Sequence, residues 1–63
     1  MKLNKTKIQL KMAKLGINQQ ELAERAEASR QTISCVMNGR ACRPELLGRI
    51  AKALEVEPEE IIE

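Results

Sequence analysis

The sequence contains no phenylalanine, tyrosine, tryptophan, histidine or aspartate. Its apolar residues are leucine, isoleucine, methionine, valine, alanine and two cysteines, a set that favours helices over sheets because sheets are rich in aromatic and β-branched residues. A chain of 63 residues buries only about 60% of its unfolded surface, which leaves room for one hydrophobic core. We therefore expect a single all-α domain that spans residues 1–63.

The missing histidine and aspartate also argue against catalysis and metal binding. Cys35 and Cys42 lack the CxxC spacing of zinc sites, and the few Ser, Cys and Lys residues form no convincing acid–base or oxyanion arrangement. We expect no enzyme activity, no metal, no cofactor and no small-molecule substrate. We expect both cysteines to be reduced thiols, although a disulfide between them remains open if the compartment is oxidising.

Long apolar runs are absent as well. No stretch approaches the ~20 residues of a membrane span, and residues 1–15 carry five lysines without the continuous apolar segment of a signal peptide. We therefore expect a cytoplasmic protein that does not enter a membrane.

The net charge of +2 conceals a strong polarity along the chain. Residues 1–54 hold all eleven Lys and Arg against four Glu, a net charge of +7, whereas residues 55–63 hold five Glu and no base, a net charge of −5. A basic body can meet phosphate while an acidic end faces elsewhere. On charge alone, a solvated surface with an acidic end explains the pattern equally well.

Helical periodicity and capping signals divide the chain into five predicted helices. The first covers residues 4–15 and ends at Gly16, and the second covers residues 19–26 after a cap at Asn18. The third covers residues 30–37, between a cap at Ser29 and the stop signal Asn38-Gly39. The fourth begins at Pro44 and the fifth covers residues 58–62, since proline suits the first turn of a helix.

The second and third helices have the pattern of a helix-turn-helix over residues 19–38. Two short helices joined by a three- to four-residue turn can cross closely only where the contact is small and apolar, and Ala23 is the expected tight spot, with Ile33 and Val36 anchoring the third helix from beneath. The opposite face of the third helix then lacks apolar bulk. It carries Arg30, Gln31, Ser34 and Cys35, with Thr32 at its edge.

These residues resemble the lambdoid phage repressor and Cro type of helix-turn-helix domain, often called the Xre family. The resemblance extends from Ile8 to about Ile62 and includes the run NQQELAERAEASRQTIS, the following NG, the RP that opens the fourth helix, and IAKALEV. It implies a five-helix lambda-repressor-like domain that binds double-stranded operator DNA, usually as a symmetric dimer, with the third helix in the major groove. We therefore expect a transcriptional repressor.

The resemblance also implies roles for individual residues. The positions that match base-reading residues are Arg30, Gln31, Thr32 and Cys35. The positions that match contacts with the DNA backbone are Gln19, Ser34, Asn38, Arg40 and Arg43. Cys35 is equally compatible with plain packing, and the five N-terminal lysines fit a solvated face in which one or two contact phosphate.

Three departures from the family pattern bear on these expectations. Glu27 occupies a turn position where relatives often have glycine, so either it adopts a left-handed conformation or the turn differs. Glu45 occupies a position where some relatives have a basic residue near the DNA. Met12 and Met37 occupy positions where many relatives have a buried Arg–Glu pair. Packed apolar side chains can replace a buried ion pair without loss of stability, and we expect these two methionines to be in contact.

A second class of function also fits the sequence. The same fold serves protein-interaction modules such as antitoxin or antirepressor-like partners, which would here use the acidic end and the last helix. Ile61 and Ile62 are compatible with either a core position or a two-fold contact.

Overall fold

The computed structural model describes all residues 1–63. Four α-helices follow one another as α1 (Lys5–Leu15), α2 (Gln19–Arg25), α3 (Arg30–Met37) and α4 (Pro44–Ala53), and a 3-10 turn covers Pro58–Glu60. No α-helix is both long enough and apolar enough to span a membrane. The expected all-α fold is confirmed. The predicted bounds of the first three helices hold to within one residue, and the fourth begins at Pro44 as predicted.

The predicted fifth helix over residues 58–62 is not formed. The chain makes one 3-10 turn that ends at Glu60, closed by a 2.8 Å hydrogen bond from the Glu57 N–H to the Glu60 carboxylate. Beyond it, the Ile61 carbonyl accepts the Asn4 N–H at 2.8 Å, and Ile62 pairs with Leu3 in an isolated antiparallel bridge. The last residues therefore pair with the N-terminal segment and cannot continue a helix.

Each of the first three helices begins at a side-chain cap. Asn18 and Ser29 were predicted as caps, whereas Asn4 was expected to be the first residue of its helix and instead precedes it. Asn4, Asn18 and Ser29 each accept the N–H of the residue three positions later, at 3.1, 2.9 and 3.0 Å respectively. These bonds satisfy amide groups that would otherwise have no partner in the first turn. Pro44 occupies the first position of α4, where its missing N–H costs nothing.

The chain leaves its helices through left-handed residues. Gly16, with φ of 69°, ends α1 as predicted. Glu27 and Glu55, with φ of 56° and 59°, adopt the same region after α2 and α4 although they carry side chains. The turn at Glu27 therefore tolerates a non-glycine residue in a conformation that costs roughly 1–2 kcal/mol.

The core is entirely aliphatic apart from one cysteine. Sixteen residues are buried, none of them polar or charged, and every α-helix contributes to a single cluster. Its largest fully buried side chains are Ile8, Leu22, Ile33, Ile50, Leu54 and Ile61. Met12 and Met37 both belong to this cluster, at 8% and 3% exposure, and direct contact between them stays a prediction.

The left-handed turn after α2 makes a prediction about stability. Glu27→Gly removes the steric cost of the positive φ, and we expect it to raise the free energy of unfolding by about 0.5–1 kcal/mol, after allowance for the greater freedom of glycine in the unfolded chain. The matched control is Glu24→Gly, which removes the same charge from the interior of α2 and should lower stability by about 0.5–1 kcal/mol. Urea denaturation followed by circular dichroism measures both. A loss of stability in both variants would show that the turn is not strained.

Candidate nucleic-acid interface

The turn between α2 and α3 is built on alanines. Ala23 and Ala26 are buried, at 3% and 1% exposure, and the Ala28 N–H donates to the Ala23 carbonyl at 3.0 Å. This bond closes the last turn of α2, where the left-handed residue Glu27 ends the helix. The buried methyl groups of Ala23 and Ala26 leave room for close packing against α2. The helix-turn-helix predicted for residues 19–38 is present, and Ala23 is buried, but its direct contact with α3 stays a prediction.

The turn presents α3 with one buried and one open face. Ile33, Val36 and Met37 are buried beneath the helix. On the other side Arg30, Gln31 and Thr32 are exposed, and Ser34 and Cys35 are half-buried. The division follows the helical repeat, so the open face is polar without apolar bulk, as predicted.

Two of the predicted base-reading side chains have no hydrogen-bond partner within the chain. Arg30 and Gln31 lie in the first turn of α3, are exposed, and form no side-chain hydrogen bond or ion pair with the rest of the chain. Thr32 differs, because its hydroxyl lies 2.7 Å from that of the cap residue Ser29. The guanidinium and the carboxamide thus keep their donors and acceptors free for an external partner.

A groove of about 480 Å³ runs between α3 and the start of α4. Five of the nine predicted site residues border it: Gln31, Thr32, Cys35, Arg40 and Arg43. Ala41 and Leu46 complete the lining together with the edge of Val36, and sequence reasoning did not single them out.

The remaining predicted residues do not line this groove. Gln19 is the first residue of α2 and is half-buried. Asn38 ends α3, where its side-chain amide donates to the Ser34 carbonyl at 2.8 Å. Asn38 also brings in Lys5, whose ammonium lies 3.5 Å from the Asn38 carboxamide oxygen. This contact distinguishes Lys5 from the other N-terminal lysines, and only the tertiary structure reveals it.

Arg49 links α4 to the turn between α2 and α3 and was also missed. Its guanidinium donates to the Glu27 carbonyl at 3.2 Å and to the Glu45 carboxylate at 3.0 Å. The partner of Glu45 is thus an arginine of the same helix, four residues towards the C-terminus. Both bonds lie at the surface, so their contribution to stability is small, but they orient the carbonyl of the strained residue.

The two cysteines are free thiols in different surroundings. Cys42 is buried between Arg40 and Arg43, and burial raises the pKa of its thiol above the ordinary value. Its backbone N–H donates to the Met1 carbonyl, which anchors the loop that carries both arginines. Cys35 is half-buried and borders the groove.

Comparison with known families bears on this geometry. A family model described as the Cro/C1-type HTH DNA-binding domain matches residues 7–63. The match therefore covers nearly all of α1, the whole helix-turn-helix, α4 and the C-terminal turn.

The contrast between the cysteines predicts their reactivity. Cys35 should react with a disulfide reagent such as dithiobisnitrobenzoate about tenfold faster or more than Cys42, because Cys42 is 3% exposed and its raised pKa leaves less thiolate near neutral pH. The rates are measured on Cys42→Ser and Cys35→Ser, which leave one thiol each. In denaturant the two rates should converge. Equal rates in the folded proteins would contradict the burial of Cys42.

Proposed function

Since the chain belongs to the Cro/C1-type helix-turn-helix DNA-binding family, we propose that it is a sequence-specific repressor of transcription that binds a palindromic operator as a homodimer. In this proposal α3 enters the major groove, as recognition helices of this motif do. The observation that carries it is the open face of α3, on which Arg30 and Gln31 are exposed and have no partner within the chain.

The chemistry of that face suits the edges of bases. An arginine reads guanine through O6 and N7, and a glutamine reads adenine through N6 and N7, each bidentate pair contributing about 1–3 kcal/mol of discrimination. Thr32 and Cys35 follow along the groove, where a methyl group or a thiol can touch the methyl group of thymine. We assign these four residues to base contacts.

The residues around the groove suit contacts with phosphate. Arg40 and Arg43 are exposed and border the groove together with residues of α3, so a duplex that receives the helix would bring its backbone to them. Gln19 offers a polar group at the start of α2, Ser34 in the middle of α3 and Asn38 at its end. We assign these five residues to backbone contacts, which set register and affinity and carry no sequence preference of their own.

A second function is favoured by the acidic C-terminal segment. All five glutamates of residues 55–63 are exposed, and DNA would repel them. An antitoxin or antirepressor-like module would use this segment to hold a protein partner. A pull-down that recovers a stable partner, together with no sequence preference among duplexes, would support this function and contradict the repressor.

In vitro selection of bound duplexes from a random pool tests the main proposal directly. We expect a palindromic consensus whose half-sites lie about one helical turn apart, ~10 bp. If the duplexes recovered after several rounds shared no common sequence, sequence-specific binding would be refuted. A consensus with a single, unrepeated half-site would refute the two-fold arrangement. A reporter gene that carries the selected site distinguishes repression from activation.

Arginine substitutions separate base reading from phosphate binding. Arg30→Ala should reduce the preference for the operator over a duplex changed at one guanine by about 10- to 100-fold, the equivalent of a lost bidentate pair. Arg43→Ala should weaken binding to all duplexes alike and reduce the slope of log K against log salt concentration by about 1. Titrations at several salt concentrations measure both effects.

Arg25→Ala is the matched control for these variants. Arg25 is exposed at the end of α2 and borders a different concavity with Arg49 and Lys52, away from the groove beside α3. It should leave preference and salt slope unchanged. If Arg30→Ala and Arg43→Ala lowered the affinity for every duplex equally, the assignment of the two roles would be wrong.

A further inference from the structure

The carboxamide of Asn38, one of the five residues assigned to contacts with the DNA backbone, is already engaged within the chain. Its amide group donates to the Ser34 carbonyl at 2.8 Å and lies 3.5 Å from the Ser34 hydroxyl. Its oxygen accepts the Lys5 ammonium at 3.5 Å. These neighbours fix the orientation of the carboxamide, because the amide group must face a carbonyl and the oxygen must face an ammonium.

A phosphate needs a donor, and Asn38 in this arrangement has little to offer. Both contacts of its amide group are to Ser34, and its remaining group is an oxygen, which only accepts, as phosphate oxygens do. The ammonium of Lys5 carries a full positive charge and three donors, of which Asn38 takes one. Lys5 is exposed and forms no ion pair. The free donor at this place is therefore Lys5.

The fold brings Lys5 to the C-terminal end of α3 from a distant part of the sequence. The N-terminal segment that precedes it is tied to the loop after α3, because the Cys42 N–H donates to the Met1 carbonyl. The last turn of α3 has no basic residue of its own, so Lys5 supplies the positive charge that the end of a helix favours. Residues 28–44 contain no carboxylate that would neutralise it.

We propose that Lys5 binds a DNA phosphate at the C-terminal end of α3, and that Asn38 is a positioning residue that holds the Lys5 ammonium there. A lysine that is already held loses less side-chain freedom when it meets the phosphate. The inference rests on the proposed function and makes it more specific, because it adds a residue from α1 to the DNA-binding surface. It also gives Asn38 a part in the backbone contact that acts through Lys5.

Removal of the charge tests the role of Lys5. Lys5→Met keeps an unbranched side chain at an exposed position, and it should reduce the slope of log K against log salt concentration by about 0.9. At about 0.1 M salt the affinity for every duplex should fall by about 5- to 10-fold. Lys5→Arg keeps the charge and should retain the slope. Fluorescence anisotropy titrations of a labelled duplex of mixed sequence measure these values, and an unchanged slope in Lys5→Met would overturn the proposal.

Lys14→Met is the matched control. It removes the same charge from another exposed lysine of α1 that borders a concavity with Glu60, away from α3. The two lysines are nine positions apart, which is about 13 Å along the helix and more than the Debye length of ~10 Å at 0.1 M salt. The slope should therefore stay unchanged. An equal reduction in Lys14→Met would show that net charge, and not the place of Lys5, governs binding.

A double-mutant cycle tests the positioning role of Asn38. Asn38→Ala should weaken binding by about three- to tenfold in the unaltered chain, because the Lys5 ammonium is then no longer held. In the Lys5→Met background the same substitution should change the affinity by less than about twofold. Equal losses in both backgrounds would show that Asn38 contacts DNA by itself. Circular dichroism establishes that each variant is folded, since Asn38→Ala also removes the bond to the Ser34 carbonyl.

The same titrations separate this inference from the proposed function. If the unaltered chain binds duplexes and Arg43→Ala reduces the slope while Lys5→Met does not, DNA binding stands and the role of Lys5 is refuted. If the unaltered chain binds no duplex at any salt concentration, both proposals are refuted.

Discussion

The left-handed turn at Glu27 ends α2 and reverses the chain into α3, and the position of the open face of α3 depends on it. The Ala28 N–H returns to the Ala23 carbonyl at 3.0 Å and closes the last turn of α2, as the Ile17 N–H does to the Met12 carbonyl at the end of α1. The chain must then reverse within a few residues, which brings Glu27 into the left-handed region at φ of 56°. The closing hydrogen bond and the left-handed residue are thus two parts of one motif that ends the helix.

The surrounding structure maintains this arrangement with few large side chains. No aromatic residue is available, so the core relies on isoleucines and leucines from all four α-helices and from both ends of the chain. Leu3 and Ile61 are 3% and 0% exposed, and the Leu3–Ile62 bridge joins the segments that carry them. In a domain this small, such terminal residues form a considerable part of the buried apolar surface.

The same N-terminal segment also reaches the groove beside α3. Cys42 is buried and its N–H donates to the Met1 carbonyl, although its neighbours in the loop are exposed. Arg40 and Arg43 therefore extend from either side of an anchored residue. Long basic side chains on a fixed loop can adapt to a phosphate backbone while the loop keeps its distance from α3.

The sequence by itself determined whatever depends on neighbours along the chain. The caps at Asn4, Asn18 and Ser29 act over three residues, Gly16 ends a helix by its own φ, and Pro44 opens one. Apolar periodicity then specified the buried face of α3, and with it the exposure of Arg30 and Gln31. Their identification with base readers came from the resemblance to a family, because exposure alone does not name a ligand.

Only the tertiary structure decided the features that join distant parts of the chain. The segment after Glu60 pairs with residues 2–4 instead of extending a fifth helix, a competition that local propensity does not reveal. Lys5 meets Asn38 across 33 positions, and Arg49 meets the Glu27 carbonyl across 22. The Lys11–Glu60 ion pair arises in the same way, since α1 and the C-terminal turn come together only when the core they share has formed.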